Sequence, residues 1–375
     1  MTTYRHVYVH VPFCARRCSY CDFAIAVRRN VPTGDFIEGL RAELATLALP
    51  PLTLDTLYLG GGTPSRLGAD GVAHLMDTLR AQVSLASGAE VTLEANPEDI
   101  TPEAVRAWQR AGITRLSIGV QSFDDRVLTW MHRVHDGAAA MRAVQVARDN
   151  GLTSLSLDLI FAVPESLQRD WRRDLDTMLD IAPSHLSLYG LTVETHTPLG
   201  KWHARGDVAE TPEERYESEF LDATRALTSA GFEHYEVSNF AQPGQRAVHN
   251  SAYWRGVPYL GLGPSAHGFD GQDRRWNVEA YAAWLARTRS GESTVDGYET
   301  LTADNRIAES VYLGLRTRDG LEVVESEWQT LSPWRDAGWI ESIGTGPSGR
   351  VRCTPLGWLR LDRLAADLTA LRSRS

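Results

Sequence analysis

Three of the four cysteines of this 375-residue chain lie close together in the segment CARRCSYC. They are Cys14, Cys18 and Cys21. A structural zinc site usually has four protein ligands and disulfides use cysteines in pairs, so a triplet leaves one position without a thiol. Thiolates also hold iron–sulfur clusters, and three of them would leave one iron of a four-iron cube open to another ligand. The spacing therefore favours a cluster with one open corner, and the charges of Arg16 and Arg17 would favour the thiolate forms.

Two other interpretations of the triplet stay open from the residues alone. A zinc site could be completed by His10 or by the distant Cys353, or the cysteines could serve only in packing. A second signal lies nearby in LYLGGGTPS, where a strand-like run enters Gly60, Gly61, Gly62 and Thr63. Glycines allow the backbone to approach a ligand closely, although the same pattern also suits a tight turn without a ligand.

The elements that would position these residues follow from the hydrophobic pattern. Six short runs predict strands buried on both faces: HVYVHV, TLYLG, EVTLEAN, RLSIGV, SLSLDLIF and HLSLYGL. Helical periodicity lies between them, with start signals at Asp35 with Glu38, at Thr101-Pro102 and at Thr211-Pro212. This alternation predicts an α/β fold with a parallel sheet, either a TIM-type barrel, complete or open, or a doubly wound sheet. No GxGxxG follows the first strand, where a dinucleotide-binding fold would carry it.

Polar residues or glycines follow several of the predicted strands at their carboxyl ends. In barrels the catalytic groups collect on that edge, so we expect these residues to lie together. As isolated residues, each is more often a solvated loop group or a helix cap than a ligand. Besides Cys14 and the glycine turn, they are Glu94, Asn96, Gln121, Asp158 and Tyr189.

The C-x3-C-x-Y-C pattern resembles the radical S-adenosylmethionine (SAM) superfamily. The resemblance implies an open (β/α)6 partial TIM barrel, a 4Fe-4S cluster held by the cysteine triplet, and SAM as the ligand of the open iron. The segments LEANPED, SIGVQSF, HRVH and LDLIFAVP resemble segments that line SAM sites in the porphyrin-related group of this superfamily. On that resemblance, the expected SAM-binding residues are Tyr8, Tyr20, Gly61, Gly62, Thr63, Glu94, Gln121, Arg133 and Asp158.

Within that group the chain is similar to two families, the haem chaperones and the oxygen-independent coproporphyrinogen III oxidases. The oxidases continue the triplet as C-x-C, whereas this chain has Cys21-Asp22-Phe23, which favours the chaperones. The segment HNSAYW resembles an H-N-x-x-Y-W motif associated with haem binding in the chaperones. Its residues His249, Asn250, Tyr253 and Trp254 are the expected haem contacts, and His267 is a weaker candidate.

A neutral imidazole is a good axial ligand for haem iron, and aromatic side chains can cover a porphyrin face. A single histidine beside aromatics is nevertheless more often a hydrogen-bonded structural residue. The resemblance implies delivery of haem to acceptor proteins such as respiratory cytochromes. The alternative function is that of the oxidases, a radical decarboxylation of porphyrinogen propionates.

Three parts are predicted along the chain. They are the radical SAM domain (1–235), an aromatic and glycine-rich connection carrying HNxxYW (236–300), and a smaller C-terminal, mainly helical domain (301–375). The last part contains a hairpin-like segment and resembles a winged helix. The net charge of −10 disfavours nucleic acid as a partner. Four cysteines and no N-terminal apolar stretch predict a cytoplasmic protein, with membrane association only through the acceptor.

Overall fold

The computed structural model describes residues 3–344 and 349–374. The strands are β1 (His6–Val11), β2 (Phe13–Cys14), β3 (Ala26–Val27), β4 (Leu52–Gly61), β5 (Val83–Ala95), β6 (Arg115–Gln121), β7 (Leu155–Phe161), β8 (His185–Gly190), β9 (Glu233–Glu236), β10 (Asn239–Ala241), β11 (Leu260–Leu262), β12 (His267–Phe269), β13 (Asp273–Asn277), β14 (Val295–Thr300), β15 (Leu321–Val323), β16 (Ile340–Ile343) and β17 (Gly349–Cys353). The helices are α1 (Thr33–Leu47), α2 (Gly68–Leu79), α3 (Pro102–Arg110), α4 (Asp125–Trp130), α5 (Gly137–Asp149), α6 (Trp171–Ile181), α7 (Pro198–Ala204), α8 (Glu213–Ser229), α9 (Val248–Trp254), α10 (Tyr281–Ser290), α11 (Ala303–Arg316), α12 (Trp328–Asp336), α13 (Pro355–Trp358) and α14 (Leu361–Arg372).

A nine-stranded sheet in the order β11-β1-β4-β5-β6-β7-β8-β10-β9 forms the centre of the molecule. The six strands from β1 to β8 in this order pair in parallel. They coincide with the six runs predicted from the sequence, so the α/β fold with a parallel sheet is confirmed. Strand β11 adds a further parallel partner to β1, while β10 and β9 close the other side antiparallel.

The strands are apolar along their length because the sheet is covered on both faces. Val7 and Val9 on β1 are fully buried, and they join one continuous core with residues such as Leu40 of α1 and Trp108 of α3. The helices that alternate with the strands therefore hold the sheet from outside. The carboxyl ends of the parallel strands are left to carry polar residues.

The three predicted helix starts have different outcomes. Thr101 caps α3 by accepting a hydrogen bond from the backbone N–H of Ala104, as predicted. Helix α1 begins at Thr33, so the start predicted at Asp35 is wrong; Asp35 lies in the first turn and pairs with Arg289 at 2.7 Å. Helix α8 begins at the predicted place, but the Thr211 hydroxyl donates to the carbonyls of Ala162 and Val163 instead of capping the helix.

Residues 236–300 have more regular structure than their composition suggested. They supply β10 and β11 to the main sheet, helices α9 and α10, and a three-stranded sheet of β12, β13 and β14. Short strands such as LGL carry too little periodicity to be recognised without their partners. The division of the chain into three parts stays a prediction.

The remainder of the chain, after about residue 300, is mostly helical, as expected. Helices α11 and α14 pack together beside a small sheet in the order β15-β17-β16. Strands β16 and β17 pair antiparallel, which confirms the predicted hairpin, although its turn lies outside the described residues. In the part of the chain described here, no helix has the length and apolar character needed to cross a bilayer.

Candidate cluster and cofactor site

The cysteine loop begins directly beyond the first strand of the sheet. Cys14 ends β2, which pairs with β3, so the segment between them closes on itself. Cys14 is buried and its Sγ lies 3.4 Å from Oγ1 of Thr63, whereas Cys18 and Cys21 are partly exposed. Burial raises the pKa of the Cys14 thiol and raises that of Cys21 to about 11. Thiols in such surroundings need a nearby cation or metal to be held as thiolates.

A cavity of about 420 Å³ lies at the carboxyl edge of the sheet, and the three cysteines form part of its wall. It gathers residues from seven separate stretches of the sequence, as expected from parallel strands that end at one edge. Tyr8 is the one predicted cluster or SAM residue that does not line it. The predicted residues that do are Cys14, Cys18, Cys21, Tyr20, Gly61, Gly62, Thr63, Glu94, Gln121, Arg133 and Asp158.

The glycine turn brings backbone against backbone on one side of the cavity. A Cβ on Gly62 would lie 2.7 Å from the carbonyl oxygen of Pro12, two residues before Cys14. Gly61 has a φ of +110°, a conformation that side chains disfavour. Glycine is therefore required here by close approach of the cysteine strand, and the turn leaves its polar backbone groups beside the cavity.

Glu94 is held from two directions beneath the glycine turn. Its Oε1 accepts a 2.8 Å hydrogen bond from the Tyr58 hydroxyl and its Oε2 accepts one of 3.0 Å from the Gly61 N–H. Burial raises the pKa of Glu94 to about 7. Desolvation disfavours the charged carboxylate. A cationic group of a ligand placed beside Glu94 would therefore stabilise the carboxylate and would be attracted to it.

Arg133 reaches the opposite wall of the cavity. Its Nη2 donates to Oδ1 of Asn96 and to the carbonyl of Gly119, each at 2.7 Å, and its Nη1 lies 3.6 Å from Sγ of Cys18. Its Nε is buried without a partner in the described structure. The guanidinium nearest to the Cys18 thiol is thus that of Arg133, from a distant segment. Arg16 instead donates to the carbonyl of Arg133, and Arg17 to that of Cys21.

Gln121 and Asp158 complete the cavity wall from adjacent strands. Gln121 has a φ of +69°, unusual for a side chain larger than glycine, at the end of β6. Ser117 Oγ lies 3.4 Å from Oδ1 of Asp158, and burial raises the pKa of Asp158 to about 6. Strained backbone and shifted carboxyl groups are typical of a functional site.

The zinc interpretation finds no support in the surroundings of its two suggested ligands. Both ring nitrogens of His10 are engaged, Nδ1 with the Tyr8 hydroxyl at 3.1 Å and Nε2 with the carbonyl of Ala24 at 2.9 Å. Cys353 lies on β17, outside the cavity. Within residues 3–344 and 349–374, no three His, Cys, Asp or Glu side chains converge as ligands of a single metal ion. A donor set of three thiols, a buried guanidinium and a glycine cradle instead fits a cluster with an organic ligand.

The HNSAYW segment forms α9, away from this cavity. His249 is 1% exposed; its Nδ1 lies 2.6 Å from Oγ1 of Thr56 and its Nε2 lies 2.8 Å from the Tyr253 hydroxyl. Burial lowers the pKa of His249 to about 3, so the ring is neutral. Asn250 is half-buried, and Trp254 lies beneath the Arg316 guanidinium at 4.1 Å. His267 is exposed and stacks on Trp276.

Sequence reasoning missed several residues of the site, above all Tyr58. Its ring stacks on Tyr8 at 6.0 Å and lies 5.0 Å from that of His249, so it connects the cofactor cavity with α9. The alternation of β4 was the available signal, because Tyr58 shares a face with Gly60. Thr192 and Glu194 also line the cavity and were not predicted. Further lining residues fall within the segments that the resemblance indicated, namely Glu98, Ser117, Gly119, His132 and Val134.

A parallel α/β sheet with a cysteine triplet beyond its first strand is the arrangement of the radical SAM superfamily, whose family model matches residues 8–178. A solved structure of coproporphyrinogen III oxidase (HemN) from Escherichia coli superimposes with a TM-score of 0.82 at 21% identity, covering 97% of this chain and 90% of that one. At that identity the likeness establishes the fold.

Relatives of similar sequence identify the family within this superfamily. Heme chaperone HemW of Mycobacterium tuberculosis is 40% identical over 322 residues, 84% of this chain and 82% of the relative. Heme chaperone HemW of Synechocystis is 33% identical over 90% of this chain and 86% of its own length, and that of Escherichia coli is 37% identical over 70% and 69%. The chain therefore belongs to the HemW family of radical SAM proteins.

Proposed function

We propose that this protein is a haem chaperone that carries a SAM-ligated 4Fe-4S cluster and transfers haem to acceptor proteins. The proposal is supported by relatives that are named heme chaperones and match most of the chain. The observation that carries the cluster part is that the three cysteines, the glycine turn and Arg133 all line one cavity. We propose a cytoplasmic location, with respiratory cytochromes as the acceptors.

In this proposal the cysteine triplet holds three irons of the cluster. The residues that would bind SAM are those of the glycine turn (61–63), Glu94, Gln121, Arg133 and Asp158. Tyr8 on β1 and Tyr20 in the cysteine loop would support the site. When bound, the cluster and SAM supply a one-electron centre and a source of a 5′-deoxyadenosyl radical. Glu94, which lines the cavity and is positioned by Tyr58 and the Gly61 N–H, would pair with the amino group of SAM, whose charge would stabilise the carboxylate.

Position 23 separates this function from the radical decarboxylase. Phe23 is 61% exposed and lies at the rim of the cavity, where the oxidase pattern has a further cysteine. An exposed aromatic ring at the rim offers apolar contact to a ligand or partner and no thiol chemistry.

The test is anaerobic reconstitution of the full chain followed by haemin titration and transfer. We expect about four irons and four sulfides per chain, a change in the Soret band on haemin addition, and movement of that haem to a haem-free respiratory cytochrome. Formation of protoporphyrinogen from coproporphyrinogen III with SAM and a reductant, without any Soret change, would establish the decarboxylase instead.

A further inference from the structure

A second cleft, larger than the cofactor cavity, lies where α9 and the end of β12 face helix α11 and the small C-terminal sheet. This α9–α11 cleft has a volume of about 1160 Å³, against about 420 Å³ for the cavity that the cluster and SAM would share. Binding sites for organic ligands commonly measure roughly 300–1,000 Å³. Because the cluster and SAM would occupy the cofactor cavity, a porphyrin needs a different site. The α9–α11 cleft is large enough to hold it.

Apolar side chains contribute to the walls of the cleft from four separate segments. Trp254 ends α9, Phe269 ends β12, Leu313 comes from α11, and Leu321 and Val323 come from β15. The Trp254 ring is fixed from behind by the Arg316 guanidinium, 4.1 Å from its centroid. Fixed aromatic and aliphatic side chains on facing walls suit a flat apolar ring system.

Two of the arginines that line the cleft have no acidic partner in the part of the chain that the structure describes. Each of the three carboxylates of the cleft has an arginine partner: Glu309 with Arg274 at 2.8 Å, Glu322 with Arg350 at 2.9 Å and Glu327 with Arg372 at 2.6 Å. Arg255 and Arg306 also line the cleft, and neither forms an ion pair within the described residues. Arg306 donates only to the carbonyl of Gly271, at 3.3 Å. Two guanidinium groups that lack a described carboxylate partner match a dianionic ligand such as haem with its two propionates.

The two ends of α9 have different surroundings. His249 is fully enclosed and both its ring nitrogens are hydrogen-bonded, whereas Trp254, one and a half turns further, lines the cleft. Glu90 accepts hydrogen bonds from the backbone N–H groups of Val248 and His249, which anchors the start of the helix. The histidine thus fixes α9 in place, and the tryptophan is the residue of the motif that lines the cleft.

We propose that the α9–α11 cleft is the haem site, with the porphyrin against Trp254 and its propionates on Arg255 and Arg306. The inference rests on the proposed haem-chaperone function and assigns its site. Among the described residues that line the cleft, none is His, Cys, Met or Tyr. The haem iron therefore has no strong protein ligand there and stays open to the axial ligand of an acceptor, which suits a carrier that must release its cargo.

The test uses the reconstituted full chain, two probes and matched variants. Haemin and haemin dimethyl ester, which lacks the propionate charges, are titrated into the wild type, the double variant Arg255→Gln/Arg306→Gln, and the control Arg142→Gln on the exposed face of α5. We expect the double variant to bind haemin about tenfold more weakly, because two charge-assisted contacts are lost. The dimethyl ester should bind the double variant and the wild type equally, and the control should match the wild type with both probes.

Two single variants separate this cleft from a site on the histidine. Leu313→Glu places a carboxylate on the cleft wall and should weaken haemin binding at least as much as the double variant. His249→Gln keeps hydrogen-bonding capacity towards Thr56 and Tyr253, and should retain the wild-type Soret position. Loss of the Soret signature in His249→Gln, with unchanged haemin affinity in the arginine double variant, would overturn the cleft site and leave the haem-chaperone function standing. A wild type that binds neither probe would overturn both.

Discussion

The hydroxyl of Tyr58 donates a 2.8 Å hydrogen bond to Oε1 of Glu94, and this contact ties the strand before the glycine turn to the neighbouring strand. Because Oε2 of the same carboxylate accepts from the Gly61 N–H, the position of Glu94 and that of the turn depend on each other. Tyr58 is itself packed between Tyr8 and His249. The proposed SAM site is therefore supported from within the sheet by a tyrosine that does not line the cavity.

Tyr58→Phe should weaken SAM binding without affecting the cluster. The carboxylate loses one of its two donors, which costs about 1 kcal/mol, or roughly a fivefold rise in the Kd for SAM. Equilibrium dialysis with the reconstituted protein measures this, and iron content should stay at the wild-type value. Tyr298→Phe, at an exposed position on β14, is the control and should change neither quantity. An unchanged Kd for SAM in Tyr58→Phe would show that Glu94 is positioned without this contact.

Single replacement of Cys14, Cys18 or Cys21 by Ala should abolish the cluster, because two thiolates cannot hold the cube against solvent. Cys353→Ala is the matched control, since Cys353 is buried in β17 away from the cavity. Iron and sulfide assays with absorption spectra after reconstitution give the readout. A requirement for Cys353 in cluster assembly would contradict the assignment of an open iron.

Gly62→Ala should destabilise the protein by about 1–3 kcal/mol, because the new Cβ would lie 2.7 Å from the Pro12 carbonyl and must displace the strand that leads to Cys14. Chemical denaturation measures the loss of stability, and cluster content should fall with it. Gly34→Ala, in the first turn of α1 with open space around the added methyl group, is the comparison and should be neutral or slightly stabilising. Equal stabilities for the two variants would argue against the close approach at Gly62.

His249 should make the protein sensitive to acid. Burial lowers its pKa to about 3 from an ordinary value of 6.5, so between these values the unfolded chain binds a proton that the folded chain does not. The free energy of unfolding therefore decreases as pH falls from 6.5 towards 3, by up to about 1.4 kcal/mol per pH unit for this one proton.

The variant His249→Gln tests this acid sensitivity. Its free energy of unfolding, followed by urea denaturation between pH 6.5 and 4.5, should depend less steeply on pH than that of the wild type. His234 has its pKa lowered by burial to about 3 as well, so part of the wild-type slope will persist in the variant. Identical slopes would mean that the ring of His249 is accessible to protons in the folded protein.

Much of the cofactor site could be predicted because it depends on local patterns. Each buried run such as RLSIGV or SLSLDLIF indicated its own strand, and parallel strands end at one edge of a sheet. The strand-end positions of Gln121 and Asp158 therefore predict that both lie near the cysteines, and both line the same cavity. The prediction failed where a hydroxyl could bond either its own helix or a distant backbone segment. Thr211 carries a capping signal, yet its hydroxyl bonds the carbonyls of Ala162 and Val163.

The sequence by itself determined the six parallel strands with the helices between them, the cysteine triplet and the strand-end residues, because spacing and hydrophobic period are properties of neighbouring residues. Only the tertiary structure decided that Tyr58 supports Glu94, that His249 is enclosed, and that Arg255 and Arg306 line a cleft shared with α11 without an acidic partner among the described residues. Those facts depend on which distant side chains meet. Such pairing is set by the packing of the whole chain, and no local pattern carries it.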